Sequence, residues 1–414
     1  MTENTISARC CIAGGGPAGM MLGLLLARAG VDVVVLEKHA DFLRDFRGDT
    51  IHPSTLELMH ELGRLDEFLA LPHQKVQVLN ARIGEVTVPF ADFSRLPTRC
   101  KFIVMMPQWD FLNFLAEHAA RYPGFHLHMR AEVTELIEEA GRVLGVRARI
   151  PDGPLEVRAD LVVGADGRAS VVRDKAGLEV KELGAPMDVL WFRLSRRLGD
   201  TDETIGRFDP GRIFIMINRA QHWQCGFVVA KGSIADIHGR GLPAFRAAVA
   251  KLAPFVADRL DELADWDAVK LLTVRVDRLP RWYRPGLLCI GDAAHAMSPV
   301  GGVGINLAIQ DAVAAANLLA APLSANRLAT DHLRQVQRRR ELPTRITQRL
   351  QVFVQDRIIS RVLGRTSPLP PSFALRLFAR FPVLRRIPAR LVGIGIRPEH
   401  VRTPPAPALP HMPK

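Results

Sequence analysis

The chain has 414 residues, which is long enough to bury a large core and favours two domains with a tail. Its formal net charge of +12 first suggests a nucleic-acid-binding protein, but the charge is unevenly distributed. Residues 331–414 hold 17 basic and four acidic side chains, whereas the other 330 residues hold 38 basic and 39 acidic ones. Because residues 1–330 are close to neutral, the composition excludes a basic nucleic-acid-binding domain.

Other functional classes also find no support in the sequence. The N-terminus lacks the charged region and apolar run of a signal peptide, and no apolar run approaches the ~18 residues of a membrane-spanning helix. The five cysteines are odd in number and scattered, and no spacing among them resembles a metal site. We therefore expect a cytoplasmic protein without a metal.

The hydrophobic pattern predicts strands and helices along most of the chain. Runs of β-branched and apolar residues indicate strands, whereas apolar positions at helical spacing indicate helices. In chain order, the predicted elements are a strand at 8–16, a helix at 17–30, a strand at 31–38, a helix within 46–63 capped by Ser54, a helix at 107–122, a β-meander at 124–163, a helix starting near Ser170, strands at 187–194, 212–218 and 222–231, a helical piece near 243–263, a strand at 286–292 and an alanine-rich helix at 307–321.

A glycine motif joins the first strand to the first helix. Gly14, Gly16 and Gly19 are spaced as GxGxxG, and Glu37 ends the next strand. This placement is typical of a dinucleotide fingerprint, in which the glycines permit a tight turn, close approach of a pyrophosphate and close packing of the helix. The pyrophosphate would lie at the helix N-terminus, and Glu37 would accept hydrogen bonds from the adenosine ribose. A glycine turn without a ligand is the alternative.

Two later strands each end beside an aspartate. The stretch 160–173 turns through Asp166 into a helix, and the strand at 286–292 ends in Asp292. Ligand crevices form outside the carboxyl ends of parallel strands, so these carboxylates would face the same crevice as the glycine motif.

The segment SPVGGVGIN, residues 298–306, holds three glycines between a strand and a helix. Such a cluster usually marks positive φ angles or close approach of the backbone to a ligand. A flexible connection is the alternative.

These motifs resemble the GxGxxG, DG and GD fingerprints of the class A, single-component flavoprotein monooxygenases related to p-hydroxybenzoate hydroxylase. The resemblance is dense over 8–182 and 272–330 and looser between them. It implies an α/β fold: a Rossmann-like FAD-binding domain of the GR2 type, an inserted, mostly antiparallel β-sheet domain for the substrate, and a helical C-terminal tail. The implied boundaries are 1–75, 100–183 and 272–330 for the FAD-binding domain, 76–99 and 184–271 for the substrate domain, and 331–414 for the tail.

The resemblance also implies how FAD is bound. Asp292 would contact the ribityl chain, and Asp166 would shape the site. Backbone N–H groups of the glycine-rich segment would face the N1–C2=O edge of the flavin and stabilise its negative charge on reduction. The implied cofactor-binding residues are Gly14, Gly16, Pro17, Ala18, Gly19, Glu37, Arg47, Gln108, Asp166, Gly167, Asp292, Pro299, Gly301, Gly302, Val303, Gly304, Ile305 and Asn306. We expect His295, His52 and Asp49 to order loops rather than to catalyse.

The chemistry implied by the resemblance is oxygen transfer. NADH or NADPH reduces FAD, O₂ adds at flavin C4a, and the hydroperoxide hydroxylates a hydrophobic aromatic, polyketide-like or quinone-like molecule. A second GxGxxG is absent from the sequence, so the nicotinamide would bind transiently. The main alternative is an FAD-dependent reductase or dehydrogenase that inserts no oxygen. A halogenase would carry a WxWxIP motif, which the sequence lacks, and a non-catalytic flavin-binding sensor is a further alternative.

The middle strands would line the substrate pocket. The candidate lining residues are Trp191, Arg193, Met216, Trp223 and Phe227. The alternative is that these side chains alternate into the core of the sheet.

The sequence also departs from the phenol hydroxylases of this family. Its two tyrosines, Tyr122 and Tyr283, both lie outside 184–271, so a tyrosine that deprotonates a bound phenol is not expected. Arg193 and His222 remain as candidate catalytic residues.

The tail mixes arginines with apolar residues. Such a surface could dock on anionic lipid. We favour helices packed over the FAD domain or a dimer partner, because Pro368, Pro370, Pro371, Pro382 and Pro388 leave few uninterrupted turns. The expected partner is a small hydrophobic substrate and not nucleic acid, with the chain acting as a monomer or homodimer.

Overall fold

A computed structural model describes residues 4–43, 50–83, 86–201, 204–219, 221–365, 377 and 380–406. Within them, the strands are β1 (Asn4–Ala13), β2 (Val33–Glu37), β3 (Thr50–Ile51), β4 (Gln74–Val76), β5 (Val78–Ile83), β6 (Val86–Asp92), β7 (Ile103–Met105), β8 (Phe125–Met129), β9 (Glu132–Glu139), β10 (Arg142–Ile150), β11 (Gly153–Gly164), β12 (Lys181–Glu182), β13 (Met187–Ser195), β14 (Ile205–Asp209), β15 (Arg212–Asn218), β16 (His222–Ala230), β17 (Lys270–Leu272), β18 (Asp277–Arg278), β19 (Tyr283–Arg284) and β20 (Leu287–Cys289).

The helices in the same residues are α1 (Pro17–Arg28), α2 (Pro53–Glu61), α3 (Leu65–Leu69), α4 (Gln108–Ala119), α5 (Val171–Lys175), α6 (Ile234–Arg240), α7 (Leu242–Leu252), α8 (Gly304–Ser324), α9 (Thr330–Val354), α10 (Ser360–Leu363) and α11 (Arg386–Gly393). Short 3₁₀ turns include Pro254–Glu262 and Val300–Gly302, and a π-helical turn, Gln355–Ile359, joins α9 to α10.

The larger sheet is built around parallel strands in the order β20–β11–β1–β2–β8. β10 and β9 extend it antiparallel from β11, and β19 pairs antiparallel with β20. All five residues of β2 are buried, as expected for a parallel strand that is covered on both faces. α1 packs on both α8 and α4 beside this sheet.

The second sheet has the order β17–β13–β16–β15–β14–β5–β6. It combines β5 and β6 with strands that begin only at Met187, far later in the chain, and its pairs are antiparallel except for β14 with β5. α7 and the 3₁₀ turn at Pro254–Glu262 cover one face. The predicted α/β architecture, with one sheet of mainly parallel strands and one of mainly antiparallel strands, is confirmed; the domain boundaries stay a prediction.

Two local predictions were wrong. Ser54 does not cap α2, because the helix begins at Pro53 after His52, and Ser54 lies inside the first turn. The expectation of few uninterrupted helical turns in the tail is wrong for its first part, since α9 runs for 25 residues with Pro343 inside it and continues through the π-helical turn into α10. A proline in the interior of a helix bends or breaks it, but tertiary packing can override this preference.

The alanine-rich helix is longer than the sequence pattern predicts. The helical stretch Val300–Ser324 has the length and composition of a membrane-spanning helix, but 72% of its apolar window is buried inside the protein. α8 packs against α1 and α9 there. We attribute its hydropathy to this core position.

The described part of the tail packs on the rest of the chain. α9 lies against α8 and β19, and α11 lies against β6 of the second sheet. Beyond α11, Thr403 accepts hydrogen bonds from the Arg28 side chain at the end of α1. Pro368, Pro370 and Pro371 fall outside the described residues.

Candidate functional site

The three sequence motifs meet at one edge of the larger sheet. The Gly14 N–H donates to the Leu36 carbonyl at 2.8 Å, which joins the ends of β1 and β2. The Ala165 N–H donates to the Ala13 carbonyl at 2.8 Å, and the Ile290 N–H to the Gly164 carbonyl at 3.0 Å. The carboxyl ends of β2, β1, β11 and β20 therefore lie side by side, where α/β proteins form their ligand crevices.

The GxGxxG loop is tight at two glycines and open at the third. Gly14 has a φ of +104°, and a Cβ there would lie 2.4 Å from the Ala165 carbonyl oxygen. A Cβ at Gly19 would lie 1.9 Å from the Gly14 carbonyl oxygen, so the start of α1 packs directly on the loop. At Gly16 a Cβ would meet no heavy atom within 4 Å. Open space therefore lies before α1, whose N-terminus has no side-chain cap among the described residues.

Glu37 lies beneath this loop at the end of β2 and is only 8% exposed. Its Oε2 accepts the Gly15 N–H at 2.9 Å, and its Oε1 accepts the His39 N–H at 3.0 Å. These bonds fix the carboxylate, which keeps lone pairs that can accept hydrogen bonds from a ligand's hydroxyl groups.

Asp166 shapes its own loop. The carboxylate accepts the Ser170 hydroxyl at 2.5 Å and the Val172 N–H at 3.1 Å, so it caps the start of α5. Burial raises the pKa of Asp166 above its ordinary value, and these hydrogen bonds oppose that shift. Gly167, with a φ of +84°, faces open space, since a Cβ there would meet nothing within 4 Å.

Asp292 directly follows a glycine that lies between α1 and α8. The preceding Gly291 has a φ of +58°, and a Cβ there would lie 3.2 Å from the Ala18 Cβ and 3.1 Å from the Ala308 Cβ. The Asp292 carboxylate forms a half-exposed ion pair with Arg168, whose Nε lies 3.1 Å from Oδ2. This ion pair joins the second motif to the third.

The glycine-rich segment leads into α8 through two residues in the left-handed region. Gly301 and Gly302 have φ angles of +79° and +62°, and a Cβ at Gly302 would lie 2.5 Å from the Thr50 Oγ1. α8 begins at Gly304, and no side chain among the described residues caps it. The first N–H groups of a helix have no acceptor within the helix, so this end favours negative charge.

Asn306 fastens this segment to the chain around β3. Its Oδ1 accepts the His52 N–H at 2.9 Å and the Thr55 hydroxyl at 2.8 Å, and its Nδ2 donates to the Thr50 carbonyl at 3.0 Å. The His52 ring is fully buried, and its Nδ1 lies 2.7 Å from the Val392 carbonyl of α11. Burial lowers the pKa of His52 to about 4, so the neutral ring donates this hydrogen bond at neutral pH.

A buried ion network, which the sequence analysis missed, lies behind Asp292. Asp311 of α8 accepts the Gly291 N–H at 3.1 Å, the His295 Nε2–H at 2.5 Å and the Arg340 Nε–H at 3.0 Å. Arg340 also contacts Glu399 at 3.3 Å. Burial alone would raise the pKa of Asp311, but the facing His295 and Arg340 hold it below its ordinary value. A lone aspartate inside an apolar helix was the signal that could have indicated this network.

The predicted pocket residues divide between the two faces of the second sheet. Met216, Trp223 and Phe227 are buried in the core beneath α7. Trp191 lies on the opposite face, in a cluster that includes Val300 of the glycine-rich segment. Because side chains alternate along a strand, Arg193 and His222 belong to the Trp191 face.

The other residues singled out in the sequence add little to the description of the crevice. Arg47 and Asp49 lie outside the described residues. Gln108 is the buried first residue of α4. All five cysteines are buried and unpaired, and in the described ranges no three side chains of His, Cys, Asp or Glu are grouped to hold a metal ion.

The site fits a dinucleotide with an attached flavin. Open space before α1 suits a pyrophosphate, the fixed Glu37 suits a ribose, and the uncapped start of α8 suits a group that becomes negative. Among the described residues, the groups that converge there are backbone N–H groups, the carboxylates of Glu37 and Asp292, the Arg168 guanidinium and the Asn306 amide, and none of these carries out redox chemistry, so the bound group must supply it.

Comparisons with known proteins agree with this site. The model of the "FAD binding domain" family matches residues 7–350. 6-Methylpretetramide 4-monooxygenase of Streptomyces rimosus is 33% identical to this chain, over 95% of this chain and 94% of its own. Dialkyldecalin synthase of Streptomyces rugosporus is 29% identical over 73% of this chain and 63% of its own, longer chain.

A solved structure shows the same fold. Anhydrotetracycline hydroxylase from Streptomyces rimosus has a TM-score of 0.74 at 24% identity, with 94% of this chain and 76% of that chain covered. The family match spans most of this chain, and the resemblance to the class A monooxygenases is confirmed. The chain therefore belongs to the FAD-binding-domain family, and it is an FAD-dependent monooxygenase.

Proposed function

We propose that this monooxygenase takes its electrons from NADH or NADPH and hydroxylates a hydrophobic, aromatic molecule of the polyketide or quinone type. The observation that carries the substrate class is the apolar face with Trp191, which belongs to the same hydrophobic cluster as Val300 of the glycine-rich segment. The relative that aligns over nearly its whole length is named for a 6-methylpretetramide substrate, which supports a polycyclic substrate here.

The residues around the crevice would each hold one part of FAD. The N–H groups at the start of α1 would bind the pyrophosphate beside Gly16, and Glu37 would bind the adenosine ribose. Asp292 would bind the ribityl chain, with Arg168 holding its carboxylate in place. When bound, FAD supplies the two-electron chemistry and the activation of O₂.

The start of α8 would stabilise the reduced cofactor. Its first N–H groups, from Gly304 onwards, present partial positive charge to a group that gains negative charge. These donors are already fixed by Asn306 and the glycine turns, so they need no rearrangement when the charge develops.

The second sheet would orient the substrate and exclude water from it. The Trp191 ring lies against Gly226, where a Cβ would be 3.0 Å from the indole. The missing side chain at Gly226 therefore leaves room for the ring on the sheet. Arg193 and His222 are the polar groups on this face that we propose to contact the substrate's oxygen atoms. The residues 184–271 hold no tyrosine for this task.

The nicotinamide would bind only transiently. A second GxGxxG is missing from the sequence, so NAD(P)H has no fingerprint of its own. The cytoplasmic location, the oligomeric state and the absence of lipid contact stay predictions.

Isotopically labelled dioxygen gives the direct test. The FAD-loaded protein is incubated with NADPH or NADH and with anhydrotetracycline or a naphthoquinone as probe, and the products are analysed by mass spectrometry. We expect the probe to stimulate nicotinamide oxidation and to gain one labelled oxygen atom. Nicotinamide oxidation with a reduced or desaturated probe and no label would favour the reductase alternative.

Matched variants locate the substrate in the same assay. Trp191→Leu changes the face toward the glycine-rich segment, whereas Phe227→Leu changes the face beneath α7. We expect Trp191→Leu to raise the KM for the probe and Phe227→Leu to leave it near the wild-type value. The reverse pattern would contradict the placement of the substrate.

A further inference from the structure

Three buried glutamines face the glycine-rich segment from the C-terminal part of the chain. Gln348 and Gln351 lie on α9, and Gln355 opens the π-helical turn that follows. Their spacing of three and four residues places them on one side of the helix. All three are at most 5% exposed. We call these three residues the glutamine clamp.

The clamp binds the backbone between residues 296 and 300. Gln348 Nε2 donates to the Ala296 carbonyl at 3.1 Å and also to the Asp277 carbonyl of β18 at 2.6 Å. Gln351 Nε2 donates to the carbonyls of Ser298 and Val300 at 2.9 and 3.0 Å, and its Oε1 accepts the Ser298 N–H at 3.2 Å.

Gln355 binds a side chain of the same segment. Its Nε2 donates to the Ser298 Oγ at 2.7 Å. The segment directly before Gly301 is therefore held through its carbonyls, one N–H and one hydroxyl.

A cluster of buried amides is costly unless it fixes a geometry. A buried amide loses its hydration, and hydrogen bonds must replace it, whereas leucine or methionine would fill the same volume without this requirement. Among the described residues, the Gln355 Oε1 is buried without any hydrogen-bond partner. Simple packing does not explain these amides, but control over the direction of the bound carbonyls does.

The carbonyl of Val300 matters because of the glycines that follow it. A peptide unit is planar and trans, so its C=O and the next N–H point in opposite directions. With the Val300 carbonyl held toward Gln351, the Gly301 N–H points away from α9. Gly301 and Gly302 have positive φ angles, and glycines tolerate several peptide orientations at little cost. The segment therefore needs an outside contact to keep a single orientation.

We propose that the glutamine clamp positions the segment that faces the flavin, and that Gln351 thereby sets both the affinity for FAD and its reduction potential. This inference rests on the proposed FAD site. Apart from the bond to Asp277, the clamp's hydrogen bonds go to backbone and side-chain atoms of residues 296–300, so we assign its members a positioning role. Loss of Gln351 frees the Val300–Gly301 peptide to turn, and the start of α8 then meets the reduced cofactor less well.

The test compares Gln351→Leu with Gln337→Leu. Gln337 is a buried glutamine of the same helix, and it also makes two backbone bonds, to the Pro280 carbonyl at 2.8 Å and from the Trp282 N–H at 3.0 Å. It lies outside the clamp. We expect both variants to lower the melting temperature, but only Gln351→Leu to change the affinity for FAD and the reduction potential of the bound flavin.

The readouts are FAD titration of the apoprotein and the midpoint potential of the bound flavin. We expect Gln351→Leu to raise the Kd for FAD at least tenfold and to lower the potential by about 30 mV for each tenfold loss of preference for reduced flavin. Gln351→Met and Gln348→Met serve as milder variants if Gln351→Leu does not fold. A Kd and potential equal to those of Gln337→Leu would overturn the inference. A wild-type protein that binds no FAD would overturn the proposed site itself.

Discussion

His52 makes the stability of the protein sensitive to mild acid. Its ring is fully buried, and burial lowers its pKa from 6.5 to about 4, partly offset by the hydrogen bond to the Val392 carbonyl. The unfolded chain therefore binds a proton at a higher pH than the folded chain does. Below pH ~6.5 the unfolded state is protonated before the folded state, so the free energy of unfolding decreases as the pH drops from about 6.5 to about 4. Above about pH 6.5 the contribution of the neutral ring to this free energy is fully present.

The size of the effect follows from the pKa difference. One pKa unit corresponds to about 1.4 kcal/mol, so the shift of His52 from 6.5 to about 4 corresponds to about 3 kcal/mol. His52→Asn is the appropriate variant, because the amide Nδ2–H can replace the ring Nδ1–H toward Val392 and does not titrate. Urea unfolding at pH ~7.5 and ~4.5 measures both proteins, and we expect the wild type to lose about 2–3 kcal/mol more than the variant.

The comparison separates His52 from other acid-sensitive groups. Burial also lowers the pKa of His118 to about 4, but His118 is present in both proteins and cancels from the difference. If wild type and His52→Asn lose the same free energy of unfolding across this window, the His52 ring is not held neutral inside the protein, and the reasoning is wrong.

Three further predictions concern the site and its support. Gly19→Ala places a methyl group 1.9 Å from the Gly14 carbonyl oxygen, so we expect the purified variant to lack the flavin absorption of the wild type; full flavin content would contradict the close packing of α1. Asp311→Asn removes one of the two buried carboxylates that Arg340 contacts and the carboxylate that faces His295, and we expect the free energy of unfolding in urea to fall by about 3–5 kcal/mol, whereas a loss below 1 kcal/mol would show that the network contributes little. Glu37→Gln removes a charged acceptor and turns an amide NH₂ toward one of the two backbone N–H groups that the carboxylate accepts, so the Kd for FAD should rise about tenfold in a fluorescence titration and the melting temperature should fall; an unchanged Kd would argue against a ribose contact.

The glycine fingerprint was readable from the sequence because its requirements are local. Gly14 needs a left-handed backbone, and Gly19 leaves no room for a side chain beside its neighbour in the same turn. Both demands arise within six residues of chain, so residue type and spacing express them directly. The same holds for Ser170, whose hydroxyl accepts the Arg173 N–H as a helix cap.

The face of the second sheet that each aromatic residue occupies was not readable. β16 is buried from Trp223 to Val229 without interruption, so the alternation of apolar and polar residues that marks a core face is lost. Trp223 is buried in the cluster beneath α7, whereas Trp191 is partly buried against the cluster on the other face, which also includes Val300 of the glycine-rich segment. The cluster on the Trp191 face includes Val300, Ile359 and Val362, which lie more than a hundred residues later in the chain than Trp191.

The basic tail shows how composition can mislead. Its charge left docking on anionic lipid open beside the favoured packing over the FAD domain or a dimer partner, and it gave no sign that Arg340 is fully buried, where it contacts Asp311 and Glu399 inside the protein. A sequence records that an arginine is present but not which carboxylate it meets, and Asp311 is 29 residues away. Long-range ion pairs of this kind are specified by tertiary packing, so charge counts describe the surface only after the buried pairs are removed.

The glycines of the glycine-rich segment would make it flexible, but contacts with the rest of the protein hold it in one conformation. Asn306 fastens it to the chain around His52, Gln351 holds its carbonyls, and Val392 of α11 lies against it, 3.8 Å from the place of a Cβ on Gly301. Glycines allow the backbone to approach a flat cofactor. They also adopt positive and negative φ angles about equally readily, so other conformations of the segment stay accessible. Contacts from the far end of the chain must therefore select one conformation, which gives the C-terminal helices a share in building the flavin site.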